Sequence, residues 1–334
     1  VGVLRSREVA DGIGTWTWEA DAPVRFFNVV ASNRWKKTSG EQGTAIYHLP
    51  EHEFNIPAMI EALDGARVHY SEWFHPYPWA ELKLSQFPAL AGYAQGFPTN
   101  ITFSENIGFL TRPDESDADA PFMVTAHESA HQWWGNILTP GEGPGGNLLS
   151  EGTAHYSTMM LFEEMRGPRG RIAFAKLIED QYGERRQADS ERPMVEIDGS
   201  RPGDTTVTYD KAGFVFWMLM QHMGRDRFLE GVQSFIAAYV ADRDHPVLQD
   251  FVRHLRPFAI DTEAYDAFTH QWFFEVVVPE YKLDEPELTE LDGAWRVTAR
   301  ITNTGTGVMP VEVGASAGER FPPTESEGAL DGGG

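Results

Sequence analysis

His127 and His131 stand four residues apart in His127-Glu128-Ser129-Ala130-His131, and Glu151 follows in Leu148-Leu149-Ser150-Glu151-Gly152-Thr153-Ala154. No other feature limits so tightly what this chain can fold into. Residues four apart on a helix lie on one face, roughly 40° apart in projection, so both imidazoles can reach a single metal ion. Glu151 can add a third ligand only if its own helix turns back toward the first. Three N/O ligands with a fourth position left to water describe a catalytic zinc site rather than a structural one. Glu128, between the histidines, is then a candidate general base, and hydrolysis is the expected reaction.

The context supports helices at both places. Pro121 suits a first helical turn, with Asp119 just upstream to cap it. Phe122, Met123, Ala126, Ala130, Trp133 and Trp134 form an apolar stripe, and Gly135 is the expected stop. A second helix is predicted from Ser150, its expected cap, to about Arg166, before Gly167-Pro168. Gly141 to Gly146 lacks a phosphate-loop pattern and reads as a flexible connector. The competing reading is two surface histidines on an amphipathic helix.

Composition limits the partners. Lys plus Arg is 27 against 50 for Asp plus Glu, a formal charge of −23, which disfavours nucleic acid and anionic membranes. An acidic surface can attract a cationic group such as a peptide's terminal ammonium, or serve solubility alone. With no cysteine, disulfides and thiolate metal sites are excluded, and the compartment is left unread. No apolar run is long enough to span a bilayer, and no signal peptide is visible. Val1 and the closing Asp331-Gly332-Gly333-Gly334 are unlike natural gene ends, so a fragment of a longer protein is expected.

Along the chain, residues 1–32 read as the end of an N-terminal β domain, with strand composition in Gly14–Glu19 and Val24–Val30. Residues 34–47 continue as strands with a turn near Gly40. A helical period covers Ile56 to Phe74, and Leu82–Phe87 and Ile101–Phe103 read as strands around a Gly/Pro-rich loop. Helices dominate from Pro121: Arg171 to about Tyr182, Asp210–Met223, Arg227–Val240, Val247–Leu255 and Thr262 to about Val276, with 183–208 loop-rich. After Pro279 the pattern turns β again, Trp295 to Ile301 alternating strongly. The resulting expectation is an α+β fold: 33–280 a catalytic domain, 281–320 the start of a β sandwich, and 321–334 a disordered tail.

Other residues carry weaker signals. Tyr209, in Thr208-Tyr209-Asp210-Lys211, could donate to an oxyanion near the metal, or simply pack at a helix start. Glu105, in Phe103-Ser104-Glu105-Asn106-Ile107-Gly108, could pair with a substrate's terminal ammonium, or be a solvated loop residue. Asn106 could bond substrate backbone or make a turn. His155 shares a helix face with Glu151 and reads as an ordinary helix histidine or a group behind the ligands. The remaining histidines are scattered.

Together, from Pro76-Tyr77-Pro78 through Ser104-Glu105-Asn106, His127 to Asn136, Ser150-Glu151-Gly152 and Tyr209-Asp210-Lys211, the chain resembles the gluzincin aminopeptidases of the aminopeptidase N and leukotriene hydrolase family over roughly residues 70–280. The resemblance implies a thermolysin-like catalytic domain, a small β-rich lobe plus a helical lobe flanked by partial β domains. It implies one Zn²⁺ held by His127, His131 and Glu151, with Glu128 as base and Tyr209 as oxyanion donor. Glu105 would anchor the amine, with Asn106 beside it, and the substrates would be peptides with a free N-terminus. Three local departures stand out. Nineteen residues, not eighteen, separate His131 from Glu151, Ser150 replaces asparagine, and Thr102-Phe103-Ser104 replaces Gly-Ala-Met. Most of the family's usual N-terminal β domain and its helical C-terminal domain are expected to fall outside this sequence. The segments at 150–156 and 303–307 also resemble a bacterial subgroup whose peptidase domain is fused to transporter-permease membrane segments.

Two alternatives stay open. One is a non-catalytic peptide-binding or regulatory module of a membrane transporter, against which the retention of Glu128 and Tyr209 argues. The other is a zinc endopeptidase, against which Glu105 argues. A metzincin is excluded, because Trp134 and Ile137 stand where glycine and histidine are required.

Overall fold

An Asp-Gly pair makes the first turn of the chain. Asp11 and Gly12 both have positive φ (52° and 78°), the backbone a two-residue hairpin turn demands, and they join β1 (Val3–Ala10) to β2 (Ile13–Glu19). The computed structural model describes residues 1–112, 119–240, 244–311, 313 and 314.

A five-stranded sheet follows: β3 (Lys36–Ser39), β4 (Thr44–His48), β5 (Leu82–Phe87), β6 (Ala94–Phe97) and β7 (Asn100–Ser104), in spatial order β3-β4-β5-β7-β6. The central strands β4, β5 and β7 run parallel, and an antiparallel strand flanks each side. All but the last residue of β5 is buried, as expected for a parallel strand covered on both faces. α1 (Ile56–Trp73) joins the two lobes. Met59 and Leu63 pack with Ile46, Leu84 and Phe103 against the sheet, whereas Ala62, Ala66, Tyr70 and Trp73 belong to the larger helical core. Helical periodicity serves two cores here because each claims a different stripe.

The helical lobe comprises α2 (Ala120–Ala130), α3 (Glu151–Arg185), a short α4 (Asp204–Thr206), α5 (Ala212–Met223), α6 (Arg225–Tyr239), α7 (Leu248–Leu255) and α8 (Thr262–Phe274). α3 is two helices across a break at Gly167 (φ 71°, ψ −171°), followed by Pro168, the interruption expected from the sequence. Four short strands close the described chain: β8 (Tyr281–Leu283), β9 (Glu287–Leu291), β10 (Ala294–Thr298) and β11 (Ile301–Asn303). No helix among the described residues is long and apolar enough to cross a membrane.

Several expectations change. Val24–Val30 has strand composition but forms no strand, because no neighbouring strand offers a ladder to it. The Gly/Pro-rich stretch before β7 instead contains the edge strand β6. Past Pro279 the strands make two separate pairs, β8 with β11 and β9 with β10, and none of the described residues from 281 on is buried, so these strands enclose no sandwich core. The expected disordered tail, 321–334, lies outside the described residues.

Candidate metal centre and its cleft

α2 begins as its sequence requires: the Asp119 carboxylate accepts from the Phe122 N–H at 3.2 Å, and Pro121 sits in the first turn. The helix ends at Ala130, not Gly135. His131 is its C-terminal cap residue, and the chain continues as tight turns to Gly135, whose φ is +144°. The expected stop is thus reached by winding down rather than by continuing the helix.

The residues after the second histidine hold the site to both lobes. Trp133 and Trp134 are buried; the indole of Trp133 donates to the His75 carbonyl at 2.6 Å and that of Trp134 to the Ser157 hydroxyl at 3.0 Å. Buried Gln132 accepts from the Thr99 N–H and donates to the Phe97 carbonyl, both at 2.9 Å, clamping the turn between β6 and β7. Asn136 donates to the Gly96 carbonyl at 3.0 Å. Two side chains beside the metal helix therefore fix the edge strand.

The Gly-rich segment before Glu151 is tied down, not a loose connector. Gly141 N–H donates to the Pro246 carbonyl at 2.8 Å and Gly145 N–H to the Ile197 carbonyl at 2.7 Å. A Cβ on Gly146 would lie 1.8 Å from the Gly141 carbonyl oxygen, so close backbone approach explains the glycine there. Ser150 does not cap α3; its hydroxyl donates instead to the Trp134 carbonyl at 3.3 Å, beside the His131 ring.

Three donor atoms converge. His127 Nε2 lies 3.2 Å from His131 Nε2, and Glu151 Oε2 lies 3.2 Å from each. A tetrahedral zinc with bonds near 2.0–2.1 Å has ligand–ligand edges of about 3.3 Å, so this triangle fits one face of such a site. The chemistry of the donors agrees. Burial works against a charge on His131, but the hydrogen bond and charge of Glu151, with the charge of Glu128, outweigh it and push the imidazole to about 9. Burial likewise opposes ionisation of Glu151, yet its bonds to His127 and His131 hold it well below the usual carboxylate range. The cluster favours a positive charge at its centre. Glu128 stands beside it with its pKa raised by burial, an effect opposed by His131, His127 and a hydrogen bond from the Gly96 N–H.

A second layer orients the ligands. His131 Nδ1 is 3.1 Å from the Trp134 carbonyl, which sets the proton there and leaves Nε2 free for a metal. His127 Nδ1 is 2.9 Å from His155 Nδ1, and His155 Nε2 is 3.9 Å from Asp210. His155 is largely enclosed, and burial holds it well below its ordinary pKa, so it is neutral. Its place behind His127 was carried in the sequence only by its helix face, shared with Glu151.

Tyr209 sits in a π-helical turn, Val207–Lys211, that precedes α5. Its ring stacks on His127 with centroids 6.0 Å apart. Burial first, then the charge of Glu151 and a hydrogen bond to it, raise its pKa far above the ordinary tyrosine value, so the phenol keeps its proton and can donate. On the far side of the same turn, Lys211 pairs with Glu191 at 2.6 Å, and Glu191 also holds Arg186.

These groups line a cleft of about 620 Å³, together with Tyr93, Gln95 and Gly96 from the edge of the sheet and Phe26 from the N-terminal segment. The expected substrate-binding pair is elsewhere. A π-helical turn, Glu105–Phe109, follows β7 directly and turns Glu105 to the end of β5, where its oxygens accept from the Ala89 N–H at 3.0 Å and the Gln86 amide at 3.1 Å. Asn106 accepts from the Ser104 hydroxyl at 2.6 Å. Neither is among the residues lining the cleft. Gln95 and Tyr93, which do line it, had no signal in the sequence, because β6 itself was read as loop.

A family model described as the peptidase family M1 domain matches residues 66–272, well over half of the chain. The chain belongs to that family. Aminopeptidase M1-B of Oryza sativa subsp. japonica is 24% identical to this M1 domain over 223 residues, covering 65% of the chain and 25% of its own length. Endoplasmic reticulum aminopeptidase 2 of Homo sapiens is 26% identical over 224 residues, covering 60% of the chain and 22% of its own length. The chain thus spans about a quarter of the length of these relatives. In structure it is similar to an M1 zinc metallopeptidase from Deinococcus radiodurans, with a TM-score of 0.57 at 17% identity, covering 84% of this chain and 60% of that one. The α+β fold expected from the sequence is the fold of these M1 neighbours.

Proposed function

We propose that this M1 domain is a zinc-dependent peptidase that hydrolyses peptide bonds at the amino-terminal end of its substrates. The observation that supports this most is the 3.2 Å triangle of His127, His131 and Glu151 with the Glu128 carboxylate and the Tyr209 phenol beside it. His127, His131 and Glu151 would hold the metal. Bound there, zinc would supply Lewis acidity toward the scissile carbonyl and a lowered pKa for water. Glu128 takes the proton from the attacking water and returns it to the leaving amine; its burial, which raises its pKa, suits both directions of transfer. Tyr209, kept protonated, donates to the oxygen of the tetrahedral intermediate. Similarity to the named aminopeptidases supports peptides as substrates and action at the amino end. Attachment of the domain to transporter-permease segments in a longer protein rests on the sequence resemblance alone.

The test separates metal from base. His131→Ala should lose most of the bound zinc, measured by atomic emission. Glu128→Gln should keep the zinc and lose about 10²–10⁴-fold in kcat on aminoacyl-peptide substrates. Unchanged zinc in the first variant, or near-normal turnover in the second, refutes the assignment.

A further inference from the structure

An enzyme that acts at a free amino end ordinarily needs an anion to meet the ammonium. Among the described residues the cleft offers none to spare. Its lining carries two carboxylates, Glu128 and Glu151, and the reading above commits both, one to the proton and one to the metal. Glu105, the carboxylate expected to serve, lies off the cleft with both oxygens engaged by Ala89 and Gln86.

The cleft wall on that side is the edge strand β6. Gly96 turns its N–H to Glu128 and its carbonyl to Asn136, both away from β7. Alternation along an antiparallel strand then turns the N–H and C=O of Ala94 the same way, outward from the sheet, where an extended peptide can pair. Between them in the strand stands Gln95, exposed and among the residues lining the cleft, its side-chain amide without a hydrogen-bond partner among the described residues. Tyr93, half exposed, flanks it.

We propose that Gln95 reads the amino end of the substrate, and that it does so as a neutral amide. A carboxamide accepts from an ammonium through its oxygen and donates to an acyl carbonyl through its nitrogen, so it serves a free or an N-acylated terminus. A carboxylate can do only the first. The substrate class is therefore peptides with either kind of terminus, and Gln95 is the residue that sets this breadth. This rests on the peptidase reading and specifies how that site selects its substrates.

The test compares trialanine with N-acetyl-trialanine. Binding is measured by calorimetry on the zinc-loaded Glu128→Gln protein, where turnover does not interfere, and kcat/KM is measured on the parent. The two peptides should agree within about tenfold in both. Adding Gln95→Glu should favour the free peptide by a further 10–100-fold, the scale of one charge-assisted bond. Glu105→Gln should leave the ratio unchanged. A preference for free trialanine above 100-fold that Glu105→Gln removes, or a ratio indifferent to Gln95→Glu, overturns the inference while the peptidase reading stands. Binding of neither peptide, with cleavage of neither by the parent, overturns both.

Discussion

Gly96 is where the edge strand touches the metal helix, and replacing it by alanine tests that contact directly. A Cβ built there lies 2.6 Å from the Glu128 carbonyl oxygen and 3.0 Å from the Cβ of His131. Neither neighbour can swing aside, since one is helix backbone and the other is rooted on it. Ordinary contact begins at 3.4 Å, so the strand must retreat by about 0.8 Å. The hydrogen bond from Asn136 to the Gly96 carbonyl, now 3.0 Å, then passes beyond useful length. Overpacking at about 1–3 kcal/mol and a lost hydrogen bond at about 1 kcal/mol together give roughly 2–4 kcal/mol. In a domain of this size that lowers Tm by roughly 5–10 °C. The catalytic loss should be larger than the thermal one suggests, because a displacement approaching 1 Å at a reacting centre costs about 10²-fold. The Gly96 N–H also helps hold Glu128 ionised, so its retreat should move the acid limb of the pH–activity profile upward. Differential scanning calorimetry and kcat/KM profiles measure all three. Gly92→Ala is the control: its Cβ would meet only the Asn106 amide, at 3.7 Å, and Tm and turnover should hold. A Gly96→Ala protein with parental Tm and turnover would refute the claim that β6 is seated on the helix by this glycine.

Tyr209→Phe should retain zinc and a near-parental KM while kcat falls about 10²–10³-fold, the scale of one oxyanion donor; near-parental kcat in stopped-flow assays would remove the tyrosine from the mechanism. Asp210 gives a pH signature in stability. Burial pushes its carboxyl up to about 6, Arg185 opposing, from an ordinary 3.8. Between those values the folded state holds more proton than the unfolded chain, so stability falls as pH rises through the window and the loss is complete above 6. Asp210→Asn should therefore gain on the parent by up to about 3 kcal/mol in urea melts at pH 7 compared with pH 4. An equal difference at both pH values would contradict the burial argument.

How much was legible depended on the range of the interaction. The start of α2 could be read from its Asp119 cap and apolar stripe, and the end of the first half of α3 from the Gly167-Pro168 break, because each signal lies within a few residues of its effect. β6 could not, because Gly96-Phe97-Pro98 has loop composition, and its pairing with β7 is reinforced by Gln132 and Asn136, which are more than thirty residues away. Val24–Val30 shows the converse, strand composition without a partner. His127, Glu128, His131 and Glu151 were legible as a set because the chemistry demands their spacing. Where Glu105 would point could not be read from the motif's letters, because the π-helical turn that begins at it directs its oxygens to Gln86 and Ala89. His155 was ambiguous for a similar reason: its partner His127 is 28 residues away.

The π-helical turn at Val207–Lys211 links the metal centre to the segment that follows α3. Three consecutive residues point to three destinations: Tyr209 to the metal centre, Asp210 toward His155, and Lys211 to Glu191 in the segment after α3. That segment is thereby a hinge pin for the tyrosine. Cutting the chain between Arg186 and Glu191, or neutralising Glu191, would free one end of the turn while leaving all three metal donors in place. On the proposed mechanism such a protein should lose the tyrosine's hold on the transition state while still holding its metal. A zinc assay would score such a protein as intact.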